Sequence, residues 1–522
     1  RWLCLRLVQI QPGPSATCPC SSAVEHSLGK GEVTSSILVK GFILQVAPLE
    51  IEAKIFPHAK PFPPGTMAAV RGRRPVEAMQ QLVRDGSTRS QAWRQQQLEA
   101  LEALLQELET PLQAALAADL GKPTVEAFFE LVGVQGELRL AQRQLKRWMA
   151  PRRVALPAVQ QPGRTWVQDE PLGTVLILGP WNYPLMLVLR PLVSALAAGN
   201  TAVLKPSEQA PAVAQLLAEM VPRHFEAEVV RVDLGGPETA QALLQQPFDH
   251  VVFTGGTRIG REVMKAAAEQ LIPVTLELGG KSPCIVLDDA DLQVSARRIA
   301  WGRFLNAGQS CVAPDYVLVT PAMRQPLEAA LKQAITEFYG PDPKQSPDFG
   351  RLVSTRQFDR VDALLEGATV LHGGERVREE RYIAPTLVQG DPDSALMQEE
   401  IFAPVLPLIE VSDLEAALRF IAERPKPLAS YLFSRDKAAR RQLIERTQSG
   451  SVAFNDVIVQ AGVPGLPFGG VGPSGIGRCH GETGFRSLSN QKSVYQRPFA
   501  LDLAWRYPPY GNRLSLLKRL LG

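Results

Sequence analysis

Cys311 is the residue of this sequence that is best suited to nucleophilic chemistry. It ends the segment NAGQSC (306–311), whose small and polar residues allow the backbone to approach a ligand closely. A cysteine acts as a nucleophile in its thiolate form, which requires a lowered pKa and an accessible sulfur. The alternative is that Cys311 is a small hydrophobic residue of the core, which is the usual state of a free cysteine.

Glu277 is the second candidate, and it lies upstream in the segment VTLELGGKSP (274–283). Its neighbours Leu276 and Leu278 leave the carboxylate poorly solvated. Poor solvation raises the pKa of a carboxyl group toward the range that suits a general base. The alternative is an ordinary carboxylate at the solvated end of a strand.

The two segments together resemble the active site of the aldehyde dehydrogenase superfamily, which has an E-L-G-G-K-S strand end followed by a G-Q-x-C loop. The 34 residues from Glu277 to Cys311 also suit that family. The resemblance implies a thiolate of Cys311 that attacks an aldehyde and a Glu277 that activates water. It implies an α/β fold with two Rossmann-like parallel-sheet domains, one coenzyme-binding and one catalytic, plus a small β flap for bridging and oligomerisation.

Asn182 lies in the segment GPWNYP (179–184). Its amide is a fixed neutral donor that suits an oxyanion, although asparagine between two prolines is also common in turns. The family places the asparagine of P-W-N-Y-P in the oxyanion hole, with Tyr183 beside it in the substrate pocket. Phe468, in the glycine-rich segment LPFGGVGPSG (466–475), either walls the aldehyde pocket or packs in the core.

Three further segments are candidates for binding a dinucleotide. In KPSE (205–208), Glu208 can accept both ribose hydroxyls and would repel a 2′-phosphate, although Ser207 and Glu208 also suit a helix start. The family uses Lys205 and Glu208 for the adenosine half of the coenzyme. In FTGGTRIG (253–260), backbone amides at a helix start suit a pyrophosphate, and Gly255 and Gly260 match the family variant rather than G-x-G-x-x-G.

The third segment is EEIFAPV (399–405). In the family its second acid, here Glu400, holds the nicotinamide ribose, and Phe402 packs beside the ring; a core anchor is the alternative for Phe402. Ala403 stands where the family usually has glycine. The expected coenzyme is NAD or NADP, and no metal is expected.

These segments follow the strands of a predicted parallel sheet. Apolar runs at 174–178 and 201–205 predict strands, and a helix through 192–198 is predicted between them. Apolar strands that alternate with helices are typical of a parallel sheet covered on both faces. Ligands of such sheets bind at the carboxyl ends of the strands. Ahead of the sheet, leucines at helical spacing predict amphipathic helices from 75 to 152, with Ser90 as an N-cap. Nothing in these helices suggests chemistry.

Composition excludes several classes of protein. The chain has 522 residues, which predicts two or three domains, and a net charge of +3, which gives no argument for a nucleic-acid partner. Its six cysteines show no disulfide or zinc spacing, so a reducing, cytoplasmic location is expected. The first methionine is Met67, and we expect residues 1–66 to be a gene-model extension; a disordered tail or a targeting segment is the alternative.

The predicted domains are a leader (1–66), a dinucleotide-binding domain (67–148 and 173–276), a catalytic domain (277–465), bridging segments (149–172 and 484–500) and a C-terminal tail helix (501–522). The bridging segments include a predicted strand pair, 154–157 and 164–168, around a turn. The basic, leucine-rich tail either caps the substrate funnel, touches a membrane surface or docks on its own subunit.

The segment IGRCHG (476–481) and the 115 residues between Met67 and Asn182 resemble the class 3 branch of the family. This resemblance implies a homodimer that oxidises medium- to long-chain aliphatic or aromatic aldehydes to carboxylic acids. One alternative is a relative that passes the acyl group to coenzyme A. The other is a structural or binding protein without catalysis. A structural histidine is expected at 480, Cys284 is expected in the core, and Cys479 has no assigned role.

Overall fold

A computed structural model describes residues 36–39, 42–45, 76–157, 160–500, 502 and 504–521. The strands β1 (Ser36–Val39) and β2 (Phe42–Gln45) pair in antiparallel orientation, which the irregular sequence of the leader did not predict. The other predictions for residues 1–66 lie outside the described residues.

The remaining strands, in chain order, are β3 (Arg152–Arg153), β4 (Arg164–Pro171), β5 (Thr174–Leu178), β6 (Thr201–Lys205), β7 (Val230–Val232), β8 (His250–Thr254), β9 (Val274–Glu277), β10 (Pro283–Val286), β11 (Tyr316–Val319), β12 (Val370–His372), β13 (Arg376–Val377), β14 (Tyr382–Ile383), β15 (Thr386–Gln389), β16 (Val405–Glu410), β17 (Ala429–Phe433), β18 (Ser451–Phe454), β19 (Gly475–Ile476) and β20 (Ser489–Gln496).

The helices are α1 (Val76–Arg84), α2 (Gln91–Leu120), α3 (Thr124–Met149), α4 (Met186–Ala198), α5 (Pro211–His224), α6 (Pro237–Leu244), α7 (Thr257–Ala268), α8 (Leu292–Phe304), α9 (Pro321–Tyr339), α10 (Thr355–Leu364), α11 (Ala395–Gln398), α12 (Leu414–Ala422), α13 (Lys437–Arg446), α14 (Gly481–Ser487) and α15 (Leu514–Leu521).

The first sheet has six strands in the order β19-β9-β8-β5-β6-β7. Strands β5 to β9 are parallel, and β19 adds an antiparallel edge in which Gly475 pairs with Glu277. All residues of β5 and β6 are buried, as expected for strands that helices cover on both faces. The predicted strands 174–178 and 201–205 are confirmed, and their carboxyl ends lie side by side because Leu178 pairs with Lys205.

The second sheet has seven strands in the order β12-β15-β16-β11-β10-β17-β18, parallel except for β12. Each parallel sheet has its own apolar core, and Cys284 lies fully buried in the core of the second sheet, as predicted. The fold class predicted from the sequence is confirmed: two parallel-sheet α/β domains accompanied by a small third sheet.

The third sheet, in the order β20-β4-β3, corrects one prediction. Residues 154–157 form no strand; instead, the short strand β3 at Arg152–Arg153 pairs with β4. The main partner of β4 is β20, which pairs with it along all eight residues. The local alternation that suggested a hairpin is therefore outweighed by pairing between segments more than 300 residues apart in the chain.

The helices of the amino-terminal half pack around the first sheet. Ser90 caps α2, and its hydroxyl accepts the Trp93 amide at 3.1 Å, which confirms the predicted N-cap. Helices α2, α3 and α4 share the largest apolar core. Among the described residues, no helix is both long enough and apolar enough to cross a membrane.

Candidate active site

The loop that carries Cys311 begins where α8 ends. A 3-10 turn, Leu305–Gly308, contains two consecutive non-glycine residues in the left-handed region, Asn306 and Ala307, both with φ of 51°. Such a conformation costs about 1–2 kcal/mol per residue, so surrounding contacts must hold it. Gly308 lies against the backbone of Ala403, where a side chain would collide with the carbonyl group.

Asn182 meets this loop directly. Its side-chain amide donates to the backbone carbonyl oxygen of Gln309 at 3.1 Å. The side-chain amide of Asn306 donates to the backbone carbonyl oxygen of Asn182 at 2.8 Å. The two segments are therefore cross-bonded two residues before Cys311. A side-chain amide has two N–H donors, so the second N–H of Asn182 remains available for a developing oxyanion.

Cys311 itself is partly exposed, unlike the buried Cys284 and Cys479. Burial raises the pKa of its thiol, and the carboxylates of Glu400 and Glu277 raise it further, while the backbone N–H groups of Cys311 and Val312 act in the opposite direction. The thiol thus needs a proton acceptor or a nearby positive charge to ionise. The hydroxyl of Tyr183 hydrogen-bonds to Ser310, the residue that precedes Cys311.

Glu277 ends β9 with its side chain almost fully buried. No described N–H or O–H group hydrogen-bonds to either carboxylate oxygen. Burial raises the pKa of Glu277 to about 8, against the opposing effects of the Cys479 thiol and the Arg478 charge. The direction of this shift agrees with the expectation from the flanking leucines, and a carboxyl group with a raised pKa and available lone pairs suits a general base.

Glu400 and Phe402 lie in the segment between α11 and β16. The Glu400 carboxylate lies over the backbone of Gly279, where a side chain would collide with it, and accepts the Gly280 N–H. Burial raises the pKa of Glu400 to about 8. The Phe402 ring meets Trp181 edge-on, with centroids 5.3 Å apart, so the segment after Glu400 contacts the segment that carries Asn182.

Asp315 joins three segments of the site through hydrogen bonds to its carboxylate. Its carboxylate accepts Lys281 Nζ at 2.5 Å, Arg303 Nη1 at 3.2 Å and the backbone N–H of Ile401 at 3.2 Å. These donors come from the strand end after Glu277, from helix α8 and from the Glu400 segment. Sequence analysis did not identify Asp315, because no short motif marks a carboxylate that joins three distant segments.

The residues predicted to bind the adenosine and pyrophosphate parts of the coenzyme lie at the carboxyl edge of the first sheet. Lys205 ends β6, and its ammonium group lies 3.0 Å from the carboxylate of Glu208, which is itself partly exposed. Gly255 follows β8, and helix α7 starts two residues later without a described side-chain cap. The free amides of that helix start fit a phosphate group. Gly260 is buried, and its missing side chain leaves room for Leu278.

Phe468 is partly buried and stacks on His480, with ring centroids 5.1 Å apart. Its backbone pairs in both directions with that of Cys479, at 3.1 and 2.7 Å. The Cys479 thiol in turn interacts with the Glu277 carboxylate. The backbone of Phe468 is therefore paired with the residue whose thiol interacts with Glu277, and Cys479, which had no predicted role, contacts the candidate base.

Helix α3 and the residue Lys122 before it, where the sequence suggested no chemistry, contact both loops of the site. Lys122, just before this helix, donates to the carbonyl of Asn182 at 3.0 Å. Glu126 accepts the backbone N–H of Asn306 at 2.8 Å, and Glu130 accepts those of Leu185 and Met186 at 3.1 Å each. The sequence did contain a signal for these contacts: Lys122, Glu126 and Glu130 recur every four residues, where a core-facing helix usually has apolar side chains.

Two parallel α/β sheets, with a cysteine loop, an amide donor and a buried carboxylate where their strand ends meet, define the class of protein. A sequence profile described as "Aldehyde dehydrogenase family" matches residues 67–494. The rat protein "Aldehyde dehydrogenase, dimeric NADP-preferring" is 46% identical over 439 residues, covering 83% of this chain and 97% of its own. The Staphylococcus aureus protein "4,4'-diaponeurosporen-aldehyde dehydrogenase" is 42% identical and covers 83% and 95%.

Solved structures agree. A substrate-bound Staphylococcus aureus AldH is 40% identical, covers 85% of this chain and 98% of its own, and has a TM-score of 0.82. A Mycobacterium tuberculosis aldehyde dehydrogenase complexed with NAD+ is 30% identical, covers 82% and 90%, and has a TM-score of 0.74. This chain belongs to the aldehyde dehydrogenase family. The predicted family and the predicted class of enzyme, an oxidoreductase that acts on aldehydes, are confirmed.

Proposed function

We propose that this chain oxidises apolar aldehydes to carboxylic acids through a thioester on Cys311, with NAD or NADP as the hydride acceptor. The observation that carries the proposal is the cross-bonded pair of loops at Asn182 and Gln309, together with the buried carboxylate of Glu277, which acts on the Cys311 thiol and accepts no described N–H or O–H group. These are a nucleophile, an oxyanion donor and a base in one place.

The chemistry follows from these groups. The thiolate of Cys311 adds to the aldehyde carbon, and the carbonyl oxygen becomes an oxyanion that the second N–H of Asn182 and the Cys311 backbone N–H bind. A dinucleotide held by the coenzyme residues described below would supply the hydride acceptor that oxidises this adduct to a thioester. Glu277 then removes a proton from a water molecule, whose oxygen adds to the thioester carbon. The C–S bond breaks, and the acid and the Cys311 thiolate are released.

The residues at the edge of the first sheet, together with Glu400 and Phe402, fit a dinucleotide. Lys205 and Glu208 would meet the adenosine ribose, Gly255 and the start of α7 the pyrophosphate, and Glu400 and Phe402 the nicotinamide side. Glu208 favours NAD because its carboxylate would repel a 2′-phosphate. Its pairing with Lys205 leaves a cation nearby, so we propose that both coenzymes are used.

Glu208→Gln tests the choice of coenzyme, because it removes the negative charge and frees Lys205. The ratio of kcat/KM for NADP to that for NAD should rise about tenfold. Glu219→Gln, on helix α5 and away from this edge, is the control. An unchanged ratio would contradict the role of Glu208.

An apolar stripe on α3 supports apolar aldehydes as substrates. Val125, Phe129 and Val132 recur at helical spacing with Phe128 beside them, and these four residues are between 41% and 60% exposed. The neighbouring Gly136 lies against Pro464, in a loop that exposes further apolar side chains. The other face of the same helix contacts the catalytic loops, so an apolar chain could lie along this stripe.

A panel of aldehydes from two to sixteen carbons, assayed with each coenzyme, tests the substrate class. kcat/KM should rise with chain length, because each buried methylene contributes roughly 0.8 kcal/mol. Phe129→Ser should flatten the trend without changing activity on the two-carbon substrate. A wild-type enzyme without turnover on any aldehyde would refute the proposed reaction, and turnover that requires coenzyme A would favour the acylating alternative.

We also propose a homodimer. Strand β20 is the edge of the third sheet and offers eight residues with unpaired backbone groups on one side. A second copy could cover this edge, and the rat relative is named dimeric. Sedimentation at micromolar concentration should give twice the chain mass, and Val494→Pro, on this strand, should favour the monomer.

We propose that the protein is cytoplasmic and that its C-terminal helix makes weak contact with a membrane surface. Helix α15 exposes Leu514 together with Lys518 and Arg519. An apolar side chain beside two cations suits weak binding of this helix to an anionic membrane surface. Flotation with anionic vesicles should retain the full chain and lose a chain that ends at residue 513. Equal flotation of both chains would refute contact through this helix, and cell fractionation tests the compartment.

A further inference from the structure

Helix α3 and the residue Lys122 that precedes it carry charged side chains in the protein interior, where an unpaired charge is costly. Lys122, Glu126 and Glu130 lie four residues apart, and each is at most 8% exposed. Such groups persist in a protein interior when they are paired and hydrogen-bonded. All three bond to the backbone of the two loops that form the candidate active site, so their partners are functional segments rather than ordinary core.

Glu126 holds the nucleophile loop at its most strained point. Its carboxylate accepts the Asn306 N–H at 2.8 Å, and Asn306 has the left-handed conformation described above. The Asn306 side chain donates to the carbonyls of Asn182 and Gln309, at 2.8 and 3.1 Å. The residue that Glu126 holds is therefore the one that joins the cysteine loop to the Asn182 loop.

Lys122 and Glu130 hold the other loop. They form an ion pair at 2.6 Å whose side chains are completely buried. Lys122 also donates to the carbonyl of Asn182, and Glu130 accepts the first backbone amides of α4. One helix thus fixes both loops, and the distance between the nucleophile and the oxyanion donor depends on it.

Opposing effects act on the pKa of the Glu126 carboxyl group. Burial raises the pKa of Glu126 to about 7; Lys122 and the Asn306 N–H oppose this rise, and the carboxylates of Asp348 and Glu130 add to it. The phenols of Tyr183 and Tyr339 also lie within electrostatic range. This carboxyl group therefore gains and loses its charge near neutral pH.

We propose that Glu126 is a positioning residue for Cys311, in which the charged carboxylate holds the Asn306 turn and protonation loosens that hold. The proposal rests on the proposed function, since it concerns how the nucleophile of that reaction is presented. A hydrogen bond to a charged acceptor is roughly twice as strong as one to a neutral acceptor. The effect on catalysis should therefore depend on pH.

The test compares the wild type with Glu126→Gln, Glu126→Ala and a control, Glu109→Gln, whose residue is exposed on α2. Two quantities are measured from pH 6 to 9: kcat for aldehyde oxidation, and the rate at which iodoacetamide alkylates Cys311, read by mass spectrometry of its peptide. The alkylation rate needs no aldehyde, so it tests Glu126 even if the proposed reaction is wrong.

Glu126→Gln keeps an acceptor without the charge. The ratio of wild-type to variant kcat should be about fivefold at pH 8.5 and should approach one at pH 6, where the wild-type carboxyl is protonated. Glu126→Ala leaves the Asn306 N–H unpaired and should lower kcat roughly tenfold to a hundredfold at pH 8.5, with KM for the coenzyme unchanged.

The alkylation rates should show the same dependence on pH, while the control matches the wild type throughout. A ratio for Glu126→Gln that stays constant with pH would refute the proposal and indicate a purely structural residue. Alkylation of Cys311 at wild-type rates in Glu126→Ala would refute it as well, whatever the aldehyde assay gives.

Discussion

Two buried carboxyl groups, Glu277 at the end of β9 and Glu126 on α3, differ in what surrounds them. Burial raises the pKa of both, to about 8 and about 7. Glu126 accepts a backbone N–H and lies near Lys122, whereas no described N–H or O–H group bonds to Glu277. A bonded carboxylate can hold a loop, and an unbonded one keeps its lone pairs for a water proton. Burial alone therefore does not distinguish a base from a support.

The largest effect should come from Glu277→Gln, which removes the base and preserves its shape. We expect kcat to fall ~10²–10⁴-fold, far more than for Glu126→Gln, and a rapid burst of NADH should precede slow turnover because the thioester accumulates. Stopped-flow absorbance at 340 nm measures both phases. Equal losses in the two variants would erase the distinction between these carboxyl groups.

Lys122→Met should destabilise the protein most, because it leaves Glu130 charged and unpaired in the core. Breaking a buried ion pair in this way costs about 3–5 kcal/mol. The midpoint of urea unfolding should fall clearly and recover in part in Lys122→Met/Glu130→Gln. A midpoint equal to that of the wild type would show that the pair has no structural importance.

Asn182→Ala should lower kcat ~10²–10³-fold, the usual effect of losing one oxyanion donor. It also breaks the bond to Gln309, so Cys311 alkylation should change as well. Circular dichroism should match that of the wild type. Near-normal turnover would refute the assignment of Asn182 to the oxyanion and leave it a loop-joining role like that of Glu126.

The smallest effect concerns stability and pH. The folded-state pKa values of Glu126 and Glu277 lie above the ordinary value of 4.5, so the folded chain binds more protons than the unfolded chain between about pH 4.5 and 8. The free energy of unfolding should therefore fall as pH rises through this window. Replacing both with glutamine should make the melting temperature less dependent on pH than in the wild type.

Local patterns identified much of the first sheet and the residues that resemble known motifs. Strands 174–178 and 201–205, the helix start after Gly256 and the strand end at Glu277 depend on short-range periodicity, glycine placement and apolar runs, so they could be predicted. The roles of Asn182, Glu277 and Cys311 came from ordered motifs. The pairing of β4 with β20, by contrast, joins distant segments and could not be read from local alternation.

The sequence by itself determined which side chains can do the chemistry, because reactivity belongs to residue types and their immediate neighbours. Only the tertiary structure decided which buried charges support them: Asp315 joins three segments, α3 contributes Glu126 and Glu130, and Lys122 lies just before α3. Many of the partners of these groups are backbone N–H groups and carbonyls, which nearly every residue has and which therefore leave no mark in the sequence. Their convergence is set by how the helices pack on the sheets.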